Sequence, residues 1–241
     1  MQNSLMSKIM AIAAHPGDAL FTMGATVAAH IHHGGSGVFV NLSLGERGHP
    51  TMERAEYGEL QRQATDRAAA MLGAESVFVP YPDAEIPATE EAALAICDCI
   101  RRHKPDIVLT HWKGSWHKDH RNTFQVVRDA IFYAELRSLA RELPAHAAPR
   151  VYFAENWEDA DEYQFDILFD TSPVHESWMN ACAVFPMWRG ETGLIRYNDY
   201  YSSLAKMRGC LGGFDWAVGL MSDPEQRLKK IRSFADTNKF L

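Results

Sequence analysis

The sequence predicts an α/β fold, a three-layer α/β/α arrangement around a mostly parallel sheet. Short apolar runs alternate with helical segments through residues 8–143, the order that builds parallel sheets. The strand runs are nearly continuously apolar, as in KIMAIAA at 8–14 and DIVLT at 106–110, which suits strands buried on both faces. Glycine follows the helical segments, as Gly34-Gly35-Ser36-Gly37 and Gly73, where a left-handed residue ends a helix.

The elements follow in order. Strand 8–14 ends at His15-Pro16-Gly17-Asp18, and 18–33 predicts a helix with small residues on one side. Residues 38–44 (VFVNLSL) are the second strand and 52–72, rich in Glu, Gln, Arg and Ala, the second helix. A third strand at 76–79 runs into the turn Tyr81-Pro82-Asp83. Helix 90–102, strand 106–110 and a largely helical stretch 121–143 complete four β-α pairs with right-handed crossovers. Beyond Leu143 the pattern is less regular. Residues 150–153 and 166–169 read as strands, and 175–183 and 199–209 as helices. No linker, repeat or low-complexity stretch divides the chain, so one domain over 1–241 is expected.

Composition excludes several classes. The chain is 46% hydrophobic and 23% charged, as globular proteins are. Its net charge of -7 and lack of a basic stripe argue against a nucleic-acid partner. No apolar run reaches the ~18–20 residues of a membrane span, and the first ten residues lack a signal-peptide layout. A cytoplasmic protein is expected, with a homo-oligomer left open. Cys97, Cys99, Cys182 and Cys210 form no C-x-x-C pair and read as reduced, mostly buried thiols.

Two clusters carry chemistry. His15 and Asp18 sit where the first strand hands over to the first helix; alone, Asp18 also reads as a helix N-cap. Trp116-His117-Lys118-Asp119-His120 follows the fourth strand, with His117 and His120 three apart on one helix face. In a sheet of order 3-2-1-4, strands 1 and 4 are neighbours, and ligands bind at their carboxyl ends. One His and one Asp from the first cluster and one His from the second make three protein ligands. Zinc held that way keeps an open position for water, the mark of a catalytic site.

These segments resemble the LmbE-like, or PIG-L-like, zinc-dependent N-acetylglucosaminyl deacetylases. The family's Ala-His-Pro-Asp-Asp appears as Ala14-His15-Pro16-Gly17-Asp18, and its His-Pro-Asp-His as His117-Lys118-Asp119-His120. Gly45-Glu46-Arg47-Gly48, Leu72-Gly73, Tyr81-Pro82-Asp83, residues 105–111, Tyr200-Tyr201 and Arg208-Gly209 extend the similarity over nearly the whole chain. The resemblance implies a Rossmann-like fold and hydrolysis of an N-acetyl or N-acyl group on an amino sugar or related small molecule. It implies zinc on His15, Asp18 and His120. His117 would protonate the leaving amine or stabilise the oxyanion, oriented by Asp119, and Glu46 would contact substrate. One position departs: Gly17 stands where the family carries its general base, a group typically worth ~10²–10⁴-fold. Asp119 is the first substitute. The alternative is a catalytically weak or silent metal-containing small-molecule-binding protein of the same fold. A nucleotide binder is disfavoured, because no G-x-G-x-x-G follows the first strand.

The remaining histidines get plainer readings. His30, His32 and His33 suit a helix C-terminus, His103, His146 and His175 read as solvated, and His49 and His111 as pocket-lining without binding zinc. Trp112 and Trp116 flank the second cluster as an apolar or sugar-stacking wall.

Overall fold

The computed structural model describes residues 7–147, 149–193 and 195–226. Its elements are β1 (Lys8–Ala13), α1 (Pro16–Phe21), α2 (Gly24–His32), β2 (Ser36–Ser43), α3 (Arg54–Met71), β3 (Glu75–Tyr81), α4 (Glu90–His103), β4 (Ile107–Thr110), α5 (Lys118–Glu135), β5 (Arg150–Ala154), β6 (Ile167–Asp170), α6 (His175–Cys182), α7 (Tyr197–Gly212) and β7 (Ala217–Ser222). The strands form one seven-stranded sheet in the order β3-β2-β1-β4-β5-β7-β6. The pairs from β3 across to β5 are parallel, and β7 runs antiparallel to both β5 and β6. This is the mostly parallel three-layer α/β/α fold the sequence predicts.

Side chains of β1 alternate between two cores. Ile9, Ala11 and Ala13 face Phe39, Trp178, Phe185 and Trp188 on one side. Met10, Ile12 and Ala14 face Val40, Ile96, Ile100, Val126 and Phe153 on the other. Burial on both faces is why the strand is apolar throughout. The pairing Ile9↔Ile107 and Ala11↔Leu109 brings the carboxyl ends of β1 and β4 side by side, so both chemical clusters leave the sheet at one edge.

Four local expectations need correction. The single helix at 18–33 is two, α1 and α2. Thr22 ends α1 by donating its hydroxyl to the Asp18 carbonyl at 2.7 Å, a bond that competes with helix continuation. Gly24 then admits the Trp178 ring, whose Cδ1 would lie 3.1 Å from a Cβ there. Asp18 is also not the N-cap: α1 starts earlier, at Pro16, with His15 as the extended cap residue, because proline is already set for the first helical position.

The helix expected to run to 143 stops at Glu135. Arg101, 1% exposed, donates to the carbonyls of Tyr133, Leu136, Leu139 and Leu143. A buried cation satisfying four carbonyls outweighs the good helix propensity of the Leu, Arg, Ala and Glu residues beyond. Of the cysteines, only Cys97 and Cys182 are buried; all four are free.

Candidate metal centre

The geometry of the site follows from two helix starts. His15 has φ -130° and ψ 157° before Pro16, so its ring lies over the end of β1 while Asp18 sits in the first turn of α1. His117 caps α5 in the same extended form, and His120 falls in that helix's first turn. Asp18 Oδ2 is 2.9 Å from His15 Nδ1 and 3.0 Å from His120 Nε2. One atom from each of His15, Asp18 and His120 lies within 4.8 Å of the others.

The surroundings hold these three side chains. Asn156 donates its amide to Asp18 Oδ1 at 3.1 Å, which turns Oδ2 toward the histidines. His120 Nδ1 is 3.2 Å from Ser115 Oγ and 3.0 Å from Glu158 Oε2, leaving Nε2 for the site. His15 Nε2 points the other way, 3.1 Å from Asp83 Oδ1 and 3.5 Å from Asp119 Oδ2. Such outer carboxylates orient metal-binding imidazoles and raise their basicity. His111 stacks on His120 with centroids 4.1 Å apart, and its Nε2 accepts the Ala14 N–H at 3.0 Å. That lone pair is spent, so His111 supports the site from below.

The site is short of positive charge. Burial works against a proton on His15, but hydrogen bonds to Asp119, Asp18 and Asp83 outweigh it and raise its pKa well above the usual value. Burial also opposes ionisation of Asp18, yet the charge and hydrogen bond of His120 and the bond from His15 hold it well below the carboxylate range. Glu158 is pushed up to about 8 by burial and by the Asp18 charge, and Asp159 to about 8 by burial first. Asp119 Oδ1 is buried without a hydrogen-bond partner, and the carboxylates of Asp18, Asp83, Asp119 and Glu158 crowd around the two imidazoles of His15 and His120. Two imidazoles, one carboxylate and this surplus of acid fit a divalent cation of the zinc type.

A consequence concerns pH. His15, Glu158 and Asp159 all have pKa values raised by their surroundings, so they hold protons at neutral pH without a cation. A cation favours the deprotonated forms, so zinc affinity should rise as pH climbs from 6 toward about 8. Titration calorimetry in buffers of different ionisation enthalpy should register net proton release at pH 7. Proton uptake, or affinity independent of pH, would contradict this charge arrangement.

A family model for GlcNAc-PI de-N-acetylase, PIG-L, matches residues 10–131, just over half of the chain. The chain belongs to the PIG-L family. A 4-oxalmesaconate hydratase of Pseudomonas putida is 26% identical over 216 residues, covering 86% of this chain and 81% of the relative. A diacetylchitobiose deacetylase of Thermococcus kodakarensis is 25% identical over 232 residues, covering 91% and 84%. Among solved structures, the 4-carboxy-2-hydroxymuconate hydratase of Pseudomonas putida superposes with a TM-score of 0.84 at 23% identity, covering 95% of this chain and 100% of that one. The N,N'-diacetylchitobiose deacetylase of Pyrococcus horikoshii gives 0.77 at 20%, covering 92% and 86%. The similar proteins thus include enzymes of two reaction types on one fold.

Within this PIG-L chain the residues singled out from sequence take different places. His15, Asp18 and His120 meet at the edge of a cavity of about 170 Å³, which His117 also lines. Asp119 is fully buried and faces His15; its bond to His117 runs through its own backbone N–H, which His117 Nδ1 accepts at 3.2 Å. Glu46 accepts the Asp83 N–H at 2.8 Å, so it shapes the turn that carries Asp83 into the site. Trp112 is a core residue whose indole donates to the Asp161 carbonyl, and Trp116 is 58% exposed. His49 Nδ1 accepts the N–H groups of Thr51 and Met52. His103, His146 and His175 are half-buried, not solvated; His146 bonds the Pro105 carbonyl and His175 stacks on Trp216.

Sequence reasoning missed Asp83, Asn156, Trp157 and Glu158. Asp83 lies in a turn that was noticed but given no role. The other three follow β5, the next parallel strand beside β4. The strand-end rule that led to His15 and His120 applies to them equally.

Proposed function

We propose that this protein is a metal-dependent hydrolase that removes an acyl group from the nitrogen of a neutral small amine, an amino sugar or related compound. The observation that carries this reading is the convergence of His15, Asp18 and His120 on a cavity that His117 also lines. When bound there, zinc would supply Lewis-acid polarisation of the acyl oxygen and make water more acidic.

The chain's own groups divide the remaining work. Burial, and then the charges of His120 and His15, push His117 down to about 4, so it is neutral at physiological pH. Its Nδ1 lone pair is taken by the Asp119 N–H, so the ring proton sits on Nε2. His117 therefore acts as a hydrogen-bond donor to an oxygen gaining negative charge, the oxyanion role and not the amine-protonating one. Asp119 positions His15. Gly17 has no side chain to act as base, and Asp119 is buried behind His15. Asp83 lines the cavity but is held below the usual carboxylate range, because hydrogen bonding and charge from His15 outweigh its burial, which makes it a weak proton acceptor. Glu158 lines the same cavity and is held up at about 8 by burial, near the pH at which a base works best; we assign the acceptor of the water proton to it.

A second reading, hydration of an unsaturated acid, is favoured by the hydratase relatives and by Gly17. Against it, among the described residues the cavity wall carries Asp18, Asp83 and Glu158 and no lysine or arginine, a poor setting for an anionic substrate. The test is a panel of N-acetyl amino sugars and unsaturated dicarboxylates with zinc-loaded protein. Amine and acetate release is expected. Consumption of the unsaturated acids alone would overturn the hydrolase reading in favour of hydration. Ligand-induced stabilisation without turnover of either class would favour a silent binding protein.

Gly17 gives a sharper prediction. It is outside the left-handed region, so substitution there carries no backbone strain. A Cβ would meet Phe21 Cε2 at 3.3 Å and Met187 Sδ at 3.7 Å, a contact relieved by a small shift of the ring. Gly17→Asp should raise turnover of an N-acetyl amino sugar by up to ~10²–10⁴-fold. A folded, zinc-loaded variant slower than the parent would show that the site is organised around a different base.

A further inference from the structure

Among the six tryptophans, Trp116 and Trp157 alone are exposed, at 58% and 36%. They stand on separate loops, before α5 and after β5, yet their rings meet at 5.9 Å with an interplanar angle of 68°. Trp157 lines the cavity, and Trp116 stands beside His117, ring centroids 5.8 Å apart. Large apolar faces left in water at a cavity mouth ask for an occupant.

The corner is rigidly built. Trp116 N–H donates to the Glu158 carbonyl at 3.1 Å, and Asp161 N–H to the Gly114 carbonyl at 3.2 Å. A Cβ on Gly114 would lie 2.0 Å from the Asp161 carbonyl oxygen, so glycine there lets the two loops close. Arg121 ties down the carbonyls of Ser115 and Trp116. Asn156 donates to Asp18 Oδ1 and accepts the Glu158 N–H, which sets Trp157 at a fixed distance from the metal-binding carboxylate. This loop lies beyond residues 10–131, where the family match ends.

We propose that Trp116 and Trp157 form a docking corner for a ring carried by the leaving amine, a saturated, oxygenated ring that presents a face of C–H bonds. The proposal rests on the hydrolase reading. Indole faces carry negative quadrupole charge and attract weakly positive C–H edges. A neutral ring also suits a cavity whose wall, among the described residues, carries carboxylates and no lysine or arginine. The corner is thus a specificity element: it selects ring-bearing amides over open-chain ones with the same acyl group.

The test uses zinc-loaded protein and two probes with one acyl group, N-acetylglucosamine and N-acetylethanolamine. Calorimetry and KM should show the ring compound preferred by about tenfold or more, as two aromatic faces acting together provide. In Trp157→Ala and Trp116→Ala that ratio should fall toward one, with Trp157→Phe between, while zinc content and thermal midpoint stay at parent values. A full preference retained in both alanine variants, or none in the parent, overturns the corner. Ring preference in binding with no hydrolysis of either probe overturns the hydrolase reading and leaves the corner standing. Hydrolysis of both at equal KM does the reverse.

Discussion

Asp18→Ala is expected to lose bound zinc and measurable turnover while keeping the fold. Asp18 Oδ2 is the atom that meets both His15 and His120, at 2.9 and 3.0 Å, so its removal takes away one of the three proposed ligands and the group that aligns the other two. Loss of a partner outside the ligand shell typically costs ~10–100-fold in metal affinity; loss of a ligand should exceed that. The fold should survive because the apolar contacts of α1 come from Ala19, Leu20 and Phe21. Metal analysis after dialysis, with circular dichroism as the control for folding, reads the result. His15→Ala and His120→Ala should behave alike. Zinc content at parent level in all three variants would remove the assignment of the centre.

His117→Ala is expected to keep zinc and lose about 10²–10³-fold in kcat, the usual effect of removing one oxyanion donor. His117 lines the cavity and is not one of the three proposed ligands; its Nδ1 caps α5 by accepting the Asp119 N–H, and loss of one such cap costs only about 1 kcal/mol, so the helix turn that carries His120 should hold. The pH profile separates its two conceivable roles. A histidine acting as a charged acid would lose activity as pH rises through its pKa. A neutral donor carries its Nε2 proton at every pH above about 4, so it causes no loss of activity as pH rises through the neutral range. Since Gln donates a hydrogen bond but no proton, His117→Gln should recover part of the lost rate. A Gln variant as slow as the Ala variant, with parental activity falling between pH 5 and 7, would make His117 the acid.

Much of the architecture was legible in local signals. Continuously apolar strands implied burial on both faces, glycine stops at Gly34 and Gly73 marked helix ends, and both adopt positive φ, 90° and 74°. The alternation of elements implied a doubly wound parallel sheet, and the order 3-2-1-4 taken for it, which the structure has, put His15 and His120 at one sheet edge. The antiparallel β7 was not legible. Its AVGLMS is short and interrupted by Gly219, which is glycine because a Cβ would stand 2.6 Å from Glu155 Oε2, a contact made by residues 64 positions apart in the chain.

By itself the sequence determined the parallel core and which side chains leave its strand ends, because strand burial and helix starts depend on a few neighbouring residues. Only the tertiary structure decided what those side chains meet. It turned Asp119 toward His15, gave Glu46 to the Asp83 turn, made Trp112 a core residue, and brought Asn156, Trp157 and Glu158 to the site across more than 130 positions from Asp18. Hydrogen bonds between distant segments depend on how layers pack and loops close, and no local periodicity records that.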